Sequence, residues 1–197
     1  PLSDLRGVRP FVQPGAPSRI DLSESGLGLA SCAVIGCILA SNTVMAELSL
    51  DRNNIGAEGA AWIADGVRGH PVLRILSLRE NNLGVQGAKV IAEALEVNRS
   101  ITTLRLGSNQ VGGHDAFQDC TNAKLAQTLA GPAAIALALA KNSTLTELEL
   151  ESNALRAEGA GKILRALGEA NRTLRRCAWT TTSSWRRGAR WCSVCSR

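Results

Sequence analysis

A spacing of 28 residues governs this chain. Leu22, Leu50, Leu78 and Leu106 stand 28 residues apart; Leu150 follows after 44, one period plus 16, and Trp179 after a further 29. The same phrase recurs around these positions. Met45, Leu48, Leu50, Asn53 and Ile55 form one copy, and Leu73, Leu76, Leu78, Asn81 and Leu83 the next. Ile101, Leu104, Leu106, Asn109 and Val111 follow, then Leu145, Leu148, Leu150, Asn153 and Leu155. Repetition at such a period restricts the chain to stacked units, none of which can bury its apolar face alone.

Each unit predicts two elements. The alternation Leu48-x-Leu50 predicts a strand of about three residues with both leucines on one face. The segment after the Asn carries apolar residues at helical spacing, such as Ile91 and Leu95. Stacking closes one core between a parallel sheet and a row of helices. Aromatic residues make up 3% of the chain and Tyr is absent, so that core is built from Leu, Ile, Val and Ala. Each buried Leu or Ile contributes about 1.5–3 kcal/mol, enough in a repeating core to oppose the ordering entropy without large rings.

The phrase L-x-x-L-x-L-x-x-N-x-L resembles the leucine-rich-repeat family. The second half of each copy narrows the resemblance. Gly56-Ala57-Glu58-Gly59-Ala60 leads into Trp62, Ile63 and Val67; Gly84-Val85-Gln86-Gly87-Ala88 leads into Ile91 and Leu95; Arg156-Ala157-Glu158-Gly159-Ala160 leads into Ile163, Leu164 and Leu167. This is similar to the long repeats of ribonuclease inhibitor and of the arrays in NOD-like receptors. The resemblance covers residues 18 to 179 and implies an α/β solenoid, or horseshoe, with a parallel sheet on the concave side and helices on the convex side.

Asn53, Asn81, Asn109 and Asn153 sit where the chain leaves each strand. A buried amide there can pair with backbone groups of adjacent turns, and buried polar groups are normally paired within the fold. These four are read as a structural ladder rather than a ligand site. His70 aligns with Asn42 and Asn98 near a helix end and is expected in a loop.

The first and last copies are degenerate. Ser25 replaces the Asn after Ile20 and Leu22; Thr182 replaces it after Leu174, Cys177 and Trp179. Ser25 to Ala46 holds no charged residue. Ile35 and Leu39 fall 28 before Ile63 and Val67, so the stretch reads as a repeat helix, and no membrane span is expected. Residues 1–17 read as an N-terminal extension, 18–179 as about five to six repeats, and 180–197 as a disordered basic tail containing Trp and Cys. Pro1 in place of Met suggests a fragment or processed form, and both ends lack a clear polar cap. The array is therefore expected to continue, or to self-associate through its ends.

The net charge of +5 hides an asymmetry. From Arg172 onward there are seven Arg and no acid, which leaves the rest at 5 − 7 = −2. The bulk charge is thus no argument for nucleic-acid binding by the body. The tail, with Trp185, Trp191 and Cys192-x-x-Cys195, admits nucleic-acid, membrane-surface, redox or zinc readings, but it lacks a second Cys pair. The insertion near 113–128 is expected to be a tolerated surface loop, with partner contact as the alternative. Its His114, Asp115, Asp119 and Cys120 match no zinc spacing, so no metal and no cofactor are expected. Scattered Cys positions point to free thiols in a reducing, cytoplasmic setting.

The residues between the strand leucines should line the concave face: Arg19, Asp21, Ser23; Glu47, Ser49, Asp51; Ile75, Ser77, Arg79; Thr103, Arg105, Gly107; Glu147, Glu149, Glu151. Of these, Glu47, Asp51, Arg79, Arg105, Glu147, Glu149 and Glu151 are the candidate partner-binding residues. The last row puts three carboxylates on one strand, and a basic partner surface would relieve their repulsion. No phosphate loop, nucleophile elbow or zinc helix motif is present in the sequence, so no enzyme is expected. The expected function is a non-catalytic protein-binding scaffold, part of a larger regulatory or receptor protein. The alternatives are a GTPase-activating module, since the Ran activator shares this repeat type, and nucleic-acid binding through the tail.

Overall fold

The computed structural model describes residues 18–113, 122–179 and 190–191, without the side chains of 122–128 and 190–191. Strands and helices alternate through the repeats. β1 (Arg19–Asp21), β2 (Glu47–Ser49), β3 (Ile75–Ser77), β4 (Thr103–Arg105), β5 (Glu147–Glu149) and β6 (Arg176–Trp179) lie side by side in chain order, all parallel. A two-residue strand, β7 (Arg190–Trp191), pairs antiparallel with β6. The rest of the 180–197 tail and all of 1–17 lie outside the described residues.

The register repeats the 28-residue spacing: Ile20, Leu48, Leu76, Leu104, Leu148 and Cys177 are mutual partners from strand to strand. All six are buried, with the next leucines, Leu50, Leu78, Leu106 and Leu150, beside them. The other face of each strand stays partly open, as alternation along a strand requires.

The helices α1 (Leu29–Ser41), α2 (Gly56–Arg68), α3 (Gly84–Val97), α4 (Asn122–Lys141) and α5 (Arg156–Glu169) each pack on the next. In α2, Ala60, Ile63, Ala64 and Val67 are buried; in α3, Ala88, Ile91, Ala92 and Leu95. Glycine sets the closest approach: a Cβ on Gly66 would meet the Gly36 carbonyl and, at 2.8 Å, the Leu39 Cβ. α1 has 13 residues, and among the described residues no helix is long and apolar enough to cross a membrane.

The insertion differs from its expected form. α4 begins at Asn122, so residues 122–128 are helix rather than loop, and α4 reaches 20 residues against 13 or 14 elsewhere. The run Ala123-Lys124-Leu125-Ala126-Gln127 is made of strong helix formers, which explains the extension. His114, Asp115, Asp119 and Cys120 lie outside the described residues.

Candidate functional site

Three rows of side chains run across the concave face, one strand spacing apart. The first is Arg19, Glu47, Ile75, Thr103, Glu147 and Arg176; the second is Asp21, Ser49, Ser77, Arg105, Glu149 and Ala178. Ser23, Asp51, Arg79, Gly107 and Glu151 continue the third just past the strands.

The charges in these rows pair across strands. Glu147 faces the Arg176 guanidinium at 3.1 Å and accepts from Thr103 Oγ1 at 3.5 Å. Arg105 Nε donates to Glu149 at 3.2 Å. Arg79 reaches both Glu149, at 3.6 Å, and Glu151, at 3.8 Å, although those residues lie two strands away. Gly107 makes that reach possible: its missing side chain leaves the path open, and a Cβ there would stand 3.4 Å from Arg79 Nε. Arg19 pairs with Glu47 at 3.4 Å. Asp51 instead accepts from Ser77 Oγ at 2.6 Å and from the Arg79 backbone N–H at 2.9 Å, tying one repeat to the next.

The structure thus brings the seven charged candidates onto one face. The repulsion expected along Glu147, Glu149 and Glu151 is offset inside the chain by Arg79, Arg105 and Arg176. The help of Arg105 was foreseeable from its neighbouring row; Arg79 was expected on the face but its reach to Glu149 and Glu151 was not, nor was Arg176, since pairing across Gly107 and across the last repeat depends on tertiary placement. At one end of the face the Ser23 hydroxyl and backbone N–H hold the Asp21 carboxyl below its ordinary range.

Beneath the rim lies the Asn ladder. Asn109 shows its logic. Its Oδ1 accepts from the backbone N–H of Asn81 (2.9 Å) and Leu83 (3.4 Å) of the preceding repeat, and its Nδ2 donates to the carbonyls of Leu78, Leu106 and Gly107. Asn153 does the same for Asn109 and Val111, Asn81 for Asn53 and Ile55, and Asn53 for Ser25 and Leu27. All four are buried.

A second ladder runs along the opposite turn, where each helix hands over to the next strand. Asn98 Oδ1 accepts from the N–H of Ser100 and Ile101, both at 2.9 Å, while its Nδ2 donates to Val67 O at 2.8 Å. Asn142 and Asn171 repeat the arrangement, and Asn42 accepts from Val44 and Met45. His70 takes the same post with a ring. Its Nδ1 accepts from Val72 N–H (3.3 Å) and Leu73 N–H (3.0 Å), so the proton sits on Nε2, which is buried with no hydrogen-bond partner among the described residues. Burial lowers the His70 pKa from 6.5. The expectation that His70 is a loop residue is right in position, but it missed the role. The signal was present: positions 42, 70, 98, 142 and 171 keep the spacing of the leucines.

Between α3 and α4 a void of about 10 Å³, walled by Leu95, Leu104, Ile135 and Leu139, has room for about one water. Among the described residues no group of three metal-ligating side chains is gathered, and Cys32, Cys37 and Cys177 take part in no disulfide.

A Leucine Rich repeat family model matches residues 41–64, 69–92, 97–116 and 141–164. Among solved structures, actin-binding site 2 of leiomodin-1 is similar at 22% identity and a TM-score of 0.61, over 77% of this chain and 78% of that one. The tropomodulin C-terminal domain of Caenorhabditis elegans is similar at 13% identity and a TM-score of 0.61, over 83% of this chain and 89% of that one. No curated protein sequence matches the chain.

Proposed function

We propose that this chain, which belongs to the leucine-rich-repeat family, is a non-catalytic scaffold that presents its concave face to a protein partner. The observation that carries the reading is the network of Arg79, Arg105, Arg176, Glu147, Glu149 and Glu151, held on short strands and only partly covered: the Glu149, Glu151 and Glu147 side chains are 20%, 28% and 33% exposed. Such a surface already has its side chains fixed, so a partner loses less conformational freedom on docking. The face carries six acids (Asp21, Glu47, Asp51, Glu147, Glu149, Glu151) against four Arg (19, 79, 105, 176), a balance of 4 − 6 = −2. That favours a partner with a basic surface. The 28-residue units with a full helix each support the ribonuclease-inhibitor-like subtype, and the cysteines that take part in no disulfide support a cytoplasmic setting, as a recognition part of a larger regulatory protein.

The test is capture from cell lysate by the full chain, beside a variant with Glu147, Glu149 and Glu151 all changed to Gln. A convex-face control carries Lys89→Gln and Glu93→Gln, an exposed pair on α3. Actin is added as one defined partner, because the similar leiomodin-1 structure is an actin-binding site. Proteins captured by the wild type and the control but lost from the concave variant support the reading. Identical capture by all three overturns it.

A further inference from the structure

β1 is the edge of the sheet, and among the described residues nothing pairs with its outer side. The direction of its backbone groups is set by β2. Glu47 N–H donates to the Ser18 carbonyl and Leu22 N–H to the Ser49 carbonyl, both at 2.9 Å. Backbone groups alternate sides along a strand, so residues 18, 20 and 22 turn theirs toward β2, while Arg19 and Asp21 turn theirs outward. An open edge of this kind is a template for another strand. At the far edge of the sheet β7 already adds to β6 antiparallel, with Ala178 opposite Trp191.

We infer that β1 pairs antiparallel with β1 of a second copy of this chain, about a twofold axis through Ile20. The parity of the outward groups allows three centred registers, and charge selects among them. Centring on Arg19 sets two Arg face to face, and centring on Asp21 sets two Asp. Centring on Ile20 places Arg19 opposite Asp21 of the other copy, twice, with reciprocal main-chain hydrogen bonds at both pairs. Opposite charges directly across a ladder stabilise it, and like charges destabilise it. The surface is therefore complementary to itself, as an isologous interface must be. The Arg19 side chain is 77% exposed and its pairing with Glu47 leaves it within reach of the edge.

The helix behind β1 fits the same occupant. α1 carries no charged side chain along its 13 residues, unlike α2, α3 and α5. Leu29 is 46% exposed, and Val34 and Ile38 are partly exposed. Ile38 stands where Gly66 lets α2 close on α1, and where α3 has the buried Ala94. The α1 face is thus shaped for a wider contact than the one between repeats, against an equally apolar surface. A twofold axis through Ile20 brings the second copy's α1 to that side.

Sedimentation velocity on the full chain over a concentration series tests the interface. The expected result is a monomer–dimer equilibrium that Arg19→Asp weakens about tenfold, with Asp21→Arg acting alike. The double change Arg19→Asp with Asp21→Arg restores the opposite-charge pairs and should return the affinity toward that of the wild type. Thermal melts check folding, and if Asp21→Arg fails to fold for want of its Ser23 contact, the exposed Arg19→Asp carries the test. A monomer at every concentration overturns the inference. So does a dimer indifferent to Arg19→Asp, or a dimer that forms only after residues 1–17 are removed, which would mean that the chain's own N-terminal segment covers the edge.

Discussion

The chain turns twice in every repeat, and the two turns meet one demand differently. Where a strand ends, the chain folds tightly toward the convex side. Among the described residues, all ten non-glycine residues with positive φ lie in this exit turn, from Glu24 through Arg52, Asn54, Glu80 and Asn82 to Ala154 and Arg156. Where a helix hands over to the next strand, the entry turn has no residue of that kind. Both turns bury backbone N–H groups that no strand or helix satisfies, and both supply a side-chain acceptor from one residue per repeat. The exit turn uses an Asn that reaches back to bond the N–H groups of the preceding repeat. The entry turn uses an acceptor that bonds N–H groups two and three residues ahead in its own repeat, and an amide that reaches back. The exit ladder is therefore the inter-repeat device. The entry ladder is mainly a local one, and so tolerates His70 in place of Asn.

The largest expected effect comes from cutting the exit ladder. Asn109→Ala takes the side-chain acceptor from the buried N–H groups of Asn81 and Leu83 and the amide donor from the Leu78 carbonyl, while the Leu106 and Gly107 carbonyls keep Asn153 Nδ2 and the Glu80 N–H. It should cost about 3 kcal/mol or more in urea unfolding. Asn98→Ala strips two local N–H groups and two backward donations, to the Val67 and His70 carbonyls, of which Val67 keeps the His70 N–H and His70 keeps the Ser100 hydroxyl. It should cost about 2 kcal/mol by the same assay, and a cost above that of Asn109→Ala would reverse the ranking of the two ladders.

His70→Asn should go the other way. An Asn keeps the acceptor for Val72 and Leu73 and replaces the partnerless Nε2 with an amide donor of the kind that reaches back at Asn98 and Asn142. A gain of about 1 kcal/mol, seen as a higher melting temperature, is expected. The pH dependence should change with it. Because burial holds the folded-state pKa of His70 below 6.5, folding favours the neutral ring. That contribution is full above pH 6.5 and is lost as the pH falls from there toward the lower folded-state value. Melts of wild type and His70→Asn should therefore diverge further as the solution is acidified through that window. Parallel curves would show that the ring carries no such linkage.

The smallest effect probes the strain in the exit turn. Arg156 has φ 53° at a position that Gly56 and Gly84 fill at φ 67° and 63°. Arg156→Gly relieves a left-handed conformation but adds freedom to the unfolded chain, for a net gain of about 0.5 kcal/mol by urea unfolding. A loss would mean that the Arg side chain contributes more than the turn geometry costs.

Much of this was legible in the residues, and for a physical reason. A repeat obliges each unit to bury its apolar side against an identical neighbour, so Leu48, Leu76, Leu104 and Leu148 had to align, and Asn53, Asn81, Asn109 and Asn153 had to stack. The entry ladder was equally periodic, but His70 disguised it, because a ring nitrogen does the work of an amide oxygen only at the right distance from the backbone. The start of α4 at Asn122 was hidden by an insertion with no counterpart in other repeats.

The sequence alone determined the period, the strand positions, the helices outside the insertion, the inward leucines and the identity of the side chains on the concave face. These follow from local alternation repeated until only one packing satisfies every copy. The tertiary structure decided which charges meet. Arg79 passes over Gly107 to Glu149 and Glu151, 70 and 72 residues further along the chain, because strands stacked a few ångströms apart bring distant residues within reach of a long side chain. It also decided that Arg19 and Asp21 turn their backbone groups outward at the sheet's edge, since that direction is set by bonding to β2, which no residue of β1 encodes by itself.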